Sequence, residues 1–182
     1  MIIVIEGVDA SGKSTLCKNL QTIYGGIVYA TPPERLRRER ENIDRFATPL
    51  ASFQFYRKGI EVATQEILEL EKQFDFIFVD RFWISTVATH KAMGIDMNIY
   101  RLAKLDCTDT TILLTVNQRE QIRRFQERGM STGDRNLLSM FHAIDANFKH
   151  LVRNHCHRYR LIDTTYQSSD DTSEQAISHL RI

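Results

Sequence analysis

The sequence has 182 residues, enough for one domain with a complete hydrophobic core. Its 24 Lys and Arg residues nearly balance its 23 Asp and Glu residues, so no strong overall charge favours nucleic acid or a membrane surface as a partner. No apolar stretch approaches the roughly 20 residues that span a bilayer. The 3 cysteines are scattered, which is typical of free thiols in a reducing compartment, and we expect a cytoplasmic protein.

Short apolar runs alternate with segments of helical periodicity along the whole chain. Strands are predicted at residues 2–5, 27–30, 76–79, 111–116 and 158–162. Helices are predicted within residues 15–24, 46–74, 82–93, 97–105, 118–128 and 136–154, and in a last segment that ends at Leu180. Residues 34–44 are predicted as the start of a helix or as a mobile loop. Such alternation predicts an α/β fold in which helices cover both faces of a five-stranded parallel sheet, in a single domain over residues 1–182.

The first predicted strand runs directly into a segment that fits the pattern GxxxxGK[ST]. Its members, with the residue that follows, are Gly7, Val8, Asp9, Ala10, Ser11, Gly12, Lys13, Ser14 and Thr15. Between a strand and a helix, this segment predicts the phosphate-binding loop of a P-loop NTPase, in which backbone N–H groups surround a polyphosphate. We expect Lys13 to reach the β and γ oxygens and Ser14 to bind Mg²⁺. The sequence therefore predicts a nucleoside triphosphate and Mg²⁺ as ligands, on a three-layer P-loop NTPase sandwich.

Two charged residues follow the third predicted strand. Asp80 could hold Mg²⁺ through water or act on an attacking hydroxyl, and the Arg81 guanidinium suits a second phosphate. An ion pair on the surface is the structural alternative. The phosphate-binding loop on the neighbouring strand favours the functional interpretation.

A third charged segment contains five arginines, which are Arg119, Arg123, Arg124, Arg128 and Arg135. Arg124 and Arg128 are four residues apart and share a helix face. We expect a mobile lid over about residues 123–135 that closes on the triphosphate and neutralises charge in the transition state. Arg123, Arg124 and Arg128 are candidates as a group, and the decisive one stays open.

A further cluster of arginines, over residues 35–40, alternates with glutamates and is predicted to be a solvated charged face. Arg35, next to Pro33 and Glu34, is the one candidate there for contact with the acceptor. Arg119 is likewise predicted to be solvated.

Together these segments resemble the thymidylate kinase family of nucleoside monophosphate kinases. Residues 5–15 resemble the opening segment of that family, and Asp80-Arg81-Phe82 with Ser85-Thr86 resembles its aspartate–arginine–aromatic segment. Asp134-Arg135 resembles the end of its lid, and Ile162-Asp163-Thr164 resembles the strand end before its adenine-binding loop. The closest resemblance is to the branch that contains mitochondrial UMP–CMP kinases. Because Ala10 stands where some members have an arginine, the resemblance implies the layout with catalytic arginines in the lid.

The resemblance also implies roles for residues around the acceptor. Asp9 lies near the acceptor sugar and phosphate in this family, and the arginine at the position of Arg81 holds that phosphate. An aromatic residue on the helix before the third strand stacks on the base. Phe55 has the family spacing but places Gly59 where an arginine is expected, whereas Phe53 with Arg57 restores that pair with a shifted spacing; Phe55 is favoured and Phe53 is assigned to the core. Thr89 replaces an aromatic residue that crowds the sugar 2′ position.

The resulting hypothesis is in-line transfer of the γ-phosphoryl group from Mg-ATP to a nucleoside monophosphate, with a pyrimidine favoured (dTMP, or CMP and UMP). One alternative is a kinase of a nucleoside or another small molecule, against which Arg81 argues. The other is a regulatory NTP-binding switch, and the residues after Asn117 do not fit the guanine-binding segment of such switches. The resemblance also allows a homodimer.

Overall fold

The computed structural model describes residues 1–180, in which a single sheet holds five strands. These are β1 (Ile2–Gly7), β2 (Ile27–Ala30), β3 (Ile77–Asp80), β4 (Thr110–Thr115) and β5 (Tyr159–Asp163). Their order across the sheet is β2-β3-β1-β4-β5, and every neighbouring pair is parallel. The five-stranded parallel sheet predicted from the apolar runs is thus confirmed.

The helices of the described residues flank this sheet. They are α1 (Lys13–Tyr24), a 3₁₀ turn (Glu34–Leu36), α2 (Arg37–Phe46), α3 (Pro49–Glu71), α4 (Trp83–Ala92), α5 (Ile99–Ala103), α6 (Gln118–Arg128), α7 (Thr132–Leu138), α8 (Phe141–His155) and α9 (Ser169–Leu180). None of them is long and apolar enough to cross a membrane.

One predicted helix, over residues 136–154, is two helices in the structure. Helix α7 begins earlier, at Thr132, because Ser131 and Asp134 form a capping box. In this box the Asp134 amide donates to Ser131 Oγ at 3.1 Å, and the Ser131 amide donates to the Asp134 carboxylate at 2.9 Å. The chain then turns at Ser139 and Met140 before α8 starts.

The central strand β1 separates two hydrophobic cores. Ile2 and Val4 face a core that also contains residues of α3, α4 and α8, whereas Ile3 and Ile5 face a core with residues of α1 and α9. All six residues of β1 are buried, as expected for a strand covered on both faces. This layered packing gives the three-layer α/β sandwich predicted from the sequence.

The carboxyl ends of β1 and β3 meet at one edge of the sheet, where ligands bind in open parallel α/β sheets. Ile5 is paired in register with Asp80, and the Arg81 amide donates to the Ile5 carbonyl at 3.0 Å. The loop that follows β1 and the turn that follows β3 are therefore neighbours. This edge contains the candidate site.

Candidate active site

A cavity of about 740 Å³, here called the loop cavity, opens beside the glycine-rich loop. The loop and the start of α1 contribute Asp9, Ala10, Ser11, Gly12, Lys13, Ser14 and Thr15 to its lining. Helix α1 begins at Lys13, so its N-terminus and the partial positive charge of its free N–H groups are directed at this cavity. The hydroxyl of Ser11 is buried and has no hydrogen-bond partner among the described residues. The cavity is thus suited to a ligand with many anionic oxygens.

The phosphate-binding loop packs closely against β4, which is possible only because Gly7 carries no side chain. Gly7 has a φ of 142°, and a Cβ there would lie 2.2 Å from the Leu114 carbonyl oxygen on β4. Lys13 is only 5% exposed, and its ammonium donates to the Val8 carbonyl at 2.7 Å. Burial, with the nearby Arg81 charge, lowers the pKa of Lys13 to about 8.

Two oxygen-bearing side chains meet beside the loop. Ser14 Oγ donates a hydrogen bond to the Asp80 carboxylate, so the first turn of α1 and the end of β3 present a hydroxyl and a carboxylate together. Hydroxyl and carboxylate oxygens are the ligands that Mg²⁺ takes in nucleotide sites. The chemistry of this donor set fits the predicted metal.

Arg81 lies between the loop cavity and a second cavity and lines both. Its guanidinium donates to the Asp9 carboxylate and, at 3.3 Å, to the Gly7 carbonyl. Both side chains keep some access to solvent, at 22% exposure for Arg81 and 29% for Asp9. Burial alone would raise the pKa of Asp9, but the charges of Arg81 and Lys13 outweigh it and hold that pKa below its usual value. Arg81 is therefore held in place while it faces both cavities.

Glu6, which the sequence analysis did not identify, stabilises the turn after β3 through hydrogen bonds. This fully buried carboxylate accepts hydrogen bonds from the Phe82 amide at 2.9 Å, the Ser85 amide at 3.2 Å and the Ser85 hydroxyl. Burial raises the pKa of Glu6, and these donors act in the opposite direction. Ser85 Oγ also lies 3.4 Å from an Arg81 nitrogen. Ser85 lines the second cavity and links the buried carboxylate to Arg81.

Among the lid arginines, Arg124 makes the most contacts with the rest of the site. Its guanidinium donates to the Ala10 carbonyl at 3.0 Å and to the Thr164 hydroxyl and carbonyl at 3.1 and 2.5 Å. Glu120 accepts from its Nε at 2.8 Å. Arg124 thus connects α6, the phosphate-binding loop and the loop after β5.

The other two lid candidates also line the loop cavity but have different partners. Arg123 pairs with Glu120 and Glu127 on its own helix. Arg128 lies 3.2 Å from the Asp134 carboxylate of α7, with its guanidinium 5.0 Å from the centre of the Phe125 ring. Arg128 therefore joins the loop cavity to the start of α7.

The second cavity, of about 310 Å³, lies between α2, α3, α4 and α7 and is here called the helical cavity. Its lining includes Asp9, Arg81, Ser85 and Thr89 from the predicted site, together with Arg40, Asp44, Ser52, Tyr56 and His90, which the sequence analysis did not assign to it. Arg40 lines the loop cavity as well. Polar and apolar groups are mixed here, as in sites for small molecules.

Two predicted acceptor contacts lie elsewhere. Phe55 is buried and outside the lining of the helical cavity, which the next residue, Tyr56, lines instead. Arg35 is paired with Glu66 of α3 at 2.7 Å and does not line the helical cavity either, whereas Arg40, five residues further on and within α2, does. Gly59 packs against Pro32, since a Cβ there would lie 3.3 Å from the Pro32 Cβ.

Asp163, predicted to bind the nucleotide, does not line the loop cavity. Its carboxylate accepts from the Thr165 amide at 3.0 Å and from the Thr165 hydroxyl at 2.5 Å. The lining comes instead from the residues that follow it in the loop and the first turn of α9. These are Thr164, Gln167, Ser168, Ser169 and Thr172.

Comparison with known proteins decides the family. The family model described as thymidylate kinase matches residues 5–176. The chain belongs to the thymidylate kinase family. Its members are nucleoside monophosphate kinases that use ATP with a metal ion, and the chain is a nucleoside monophosphate kinase.

Individual thymidylate kinases are similar to this member along most of its length. The probable thymidylate kinase of Archaeoglobus fulgidus is 25% identical over 139 residues, which are 71% of this chain and 71% of the relative. The thymidylate kinase of Chlorobium phaeobacteroides is 23% identical over 210 aligned positions, which cover 100% of this chain and 94% of the relative.

Solved structures share the fold. The thymidylate kinase of Candida albicans superposes with a TM-score of 0.78 at 20% identity, over 97% of this chain and 89% of the other. The deoxyadenosine kinase of M. mycoides, solved with the products dCMP and a flexible dCDP, gives a TM-score of 0.73 at 18% identity, over 99% of this chain and 98% of the other. The P-loop NTPase fold of thymidylate kinases is confirmed.

Proposed function

We propose that this kinase transfers the γ-phosphoryl group of ATP to a pyrimidine nucleoside monophosphate, dTMP or a CMP or UMP type of acceptor. The observation that carries the proposal is the position of Arg81, a guanidinium in the shared wall of two cavities. The loop cavity takes the triphosphate and the helical cavity takes the acceptor nucleoside. The acceptor phosphate then meets Arg81, and the two phosphates face each other at the carboxyl edge of the sheet.

In this proposal the protein stabilises charge and excludes water. Lys13 and the lid arginines Arg124 and Arg128 neutralise the transferring group, and Arg123 contributes charge at the mouth of the loop cavity. Ser14 and Asp80 would hold Mg²⁺, which when bound offsets negative charge on the β and γ oxygens. Asp9 fixes Arg81, and Arg40 is a second guanidinium within reach of the acceptor phosphate.

The choice of ATP as donor is supported by the loop after β5. Gln167 lines the loop cavity, and its side-chain oxygen is buried without a partner among the described residues. An unpaired buried acceptor is unfavourable unless a ligand satisfies it, and the adenine amine is a suitable donor. Substitution of Gln167 by Leu should therefore raise the KM for ATP more than the KM for the acceptor.

The proposed function is tested by ADP release, coupled to a detection enzyme, across the common ribo- and deoxyribonucleoside monophosphates and the matching nucleosides. We expect turnover with a pyrimidine monophosphate and little with its nucleoside, because only the monophosphate engages Arg81. Turnover confined to nucleosides would favour the nucleoside kinase alternative. Tight nucleotide binding with no acceptor-dependent turnover would favour the regulatory switch.

We also propose placement in the branch related to UMP–CMP kinases and assembly as a homodimer. The branch is supported by the segments from Thr31 to Glu34 and from Asp80 to Trp83. The homodimer is supported by the resemblance, because members of the family are often homodimers. A mass measured by light scattering at the mass of one chain would contradict the dimer. Turnover of dTMP without turnover of CMP or UMP would contradict the branch.

A further inference from the structure

A buried histidine in the wall of the helical cavity has a defined tautomer. His90, on α4, is 2% exposed, and its Nδ1 lies 2.7 Å from the Thr86 carbonyl oxygen. A carbonyl oxygen can only accept a hydrogen bond, so Nδ1 must carry a proton. Burial also lowers the pKa of His90, which favours the neutral ring. The other nitrogen, Nε2, is then a bare acceptor.

This tautomer determines what Ser52 offers to a ligand. Ser52 Oγ lies 3.0 Å from His90 Nε2, and both side chains line the helical cavity. Because Nε2 has no proton to give, the Ser52 hydroxyl must donate to it. The remaining hydrogen-bonding capacity of Ser52 is its oxygen lone pairs, which can only accept.

A second acceptor stands on α2 in the same cavity. The Asp44 carboxylate accepts from the Tyr56 hydroxyl at 2.7 Å and from Arg40 Nε at 3.3 Å. Because the Tyr56 hydroxyl donates its one hydrogen bond to Asp44, its oxygen can otherwise only accept. The hydroxyl and carboxylate oxygens of Ser52, Tyr56 and Asp44 therefore form an acceptor set.

The acceptor set lies away from the phosphates. Arg40 and Arg81 line both cavities, which places them at the phosphate end. Asp44, one helix turn beyond Arg40, lines the helical cavity alone, as do Ser52 and Tyr56. A nucleotide with its phosphate at Arg81 would extend its base toward these acceptors.

We infer that the acceptor set selects a pyrimidine with an exocyclic amine, and that cytosine nucleotides are preferred over those of uracil and thymine. The inference rests on the proposed pyrimidine monophosphate acceptor. Cytosine presents an amine with two N–H donors at position 4, where uracil and thymine present a carbonyl oxygen. A carbonyl oxygen facing these half-buried acceptors makes no hydrogen bond with them, and a site built for hydrogen bonding discriminates strongly against such a partner.

The test compares kcat/KM for CMP, dCMP, UMP and dTMP in the full-length enzyme and in a variant with one acceptor exchanged. We expect the wild type to prefer cytosine nucleotides at least about tenfold. Asp44→Asn introduces an amide that can donate, and should lower the cytosine-to-uracil ratio about tenfold or more, mainly by improving or sparing UMP. Glu41→Gln is the matched control, since Glu41 is on the same helix, is 62% exposed and pairs with Arg37.

A second variant keeps the inference testable if the Asp44 substitution destabilises the fold. Ser52→Ala removes the other acceptor and should also lower the ratio, and thermal melting reports whether either variant is folded. Equal or better turnover of UMP or dTMP by the wild type overturns the inference and leaves the proposed function intact. Unchanged ratios in both folded variants overturn the assignment of these residues. Absence of turnover with every nucleoside monophosphate overturns the proposed function itself.

Discussion

Arg124 donates to both the hydroxyl and the carbonyl of Thr164, at 3.1 and 2.5 Å, and so connects α6 to the loop that follows β5. The same guanidinium reaches the Ala10 carbonyl in the phosphate-binding loop. The phosphate-binding loop and the loop after β5 are thus both held by one side chain of α6. A planar group with five donors can satisfy several carbonyls at once, which a lysine ammonium cannot do in the same geometry.

We therefore expect Arg124→Lys to impair the enzyme although the charge is kept. The KM for ATP should rise, and kcat should fall about tenfold to a hundredfold, because α6 loses contacts with both loops and, in the proposed function, the transferring group loses a charged contact. Arg119→Ala on the same helix is the control, since Arg119 is exposed and lies outside the lining of the loop cavity. Steady-state kinetics with varied ATP check this, and wild-type values in Arg124→Lys would contradict it.

The second prediction concerns pH. The pKa of Lys13 is lowered from 10.5 to about 8, so half of the free enzyme has lost this positive charge near pH 8 instead of above pH 10. The neutral amine cannot stabilise anionic oxygens, so kcat/KM for ATP should fall as the pH rises through about 8. In Lys13→Ala this alkaline fall should disappear, and kcat should be about a hundredfold to a thousandfold lower throughout. A wild-type kcat/KM for ATP that stays constant up to pH 9.5 would contradict the role assigned to the Lys13 charge.

The third prediction separates the backbone of Arg81 from its side chain. Arg81 has a φ of 70°, in the left-handed region that disfavours any residue with a Cβ. Arg81→Gly and Arg81→Ala both remove the guanidinium and should raise the KM for the monophosphate far more than the KM for ATP. The glycine variant should nevertheless be more stable than the alanine variant by roughly 0.5–1 kcal/mol, after the higher entropy of unfolded glycine is subtracted. Urea unfolding measures the difference, and an alanine variant that is the more stable of the two would contradict the strain.

The fourth prediction concerns the sugar. Thr89 lines the helical cavity, and the family resemblance implies an aromatic residue at this position that would crowd the sugar 2′ position. Thr89→Tyr should restore that crowding and raise the preference for deoxyribonucleotides over ribonucleotides about tenfold. Thr89→Val keeps the size of threonine and serves as the control. Paired kcat/KM values for dCMP and CMP give the answer, and an unchanged ratio in the tyrosine variant would show that the side chain lies away from the sugar.

The parts of the site that are contiguous in sequence could be predicted from it. The phosphate-binding loop follows a strand and starts a helix, and its chemistry is contained in eight successive residues. Asp80 and Arg81 end a buried strand, so the sheet alone places them beside the loop. Parallel pairing then fixes their relation to Asp9 without any knowledge of the helices.

The helical cavity could not be predicted in this way, because it depends on how α2 and α3 are rotated about their axes. Successive helix residues point about 100° apart, so choosing Phe55 over Tyr56 changes which side chain lines the helical cavity. Likewise Arg35 precedes α2, whereas Arg40 lies within it and lines both cavities. Local spacing contains no information about that rotation.

Glu6 escaped the sequence analysis for a different reason. It is a polar residue after the apolar run of β1, and polar residues are common at the ends of strands. Only the packed structure shows that it accepts from the residues after Arg81. A buried carboxylate of this kind is recognisable by its donors, which lie far away in the sequence.

Arg40 lies in the walls of both cavities, so in the proposed function the binding of the donor and the binding of the acceptor would share one electrostatic element. Its positive charge attracts whichever anion arrives first, and that anion partly screens it from the second. The affinities for donor and acceptor are then linked quantities, and a dissociation constant measured for either nucleotide alone differs from the one that applies during turnover.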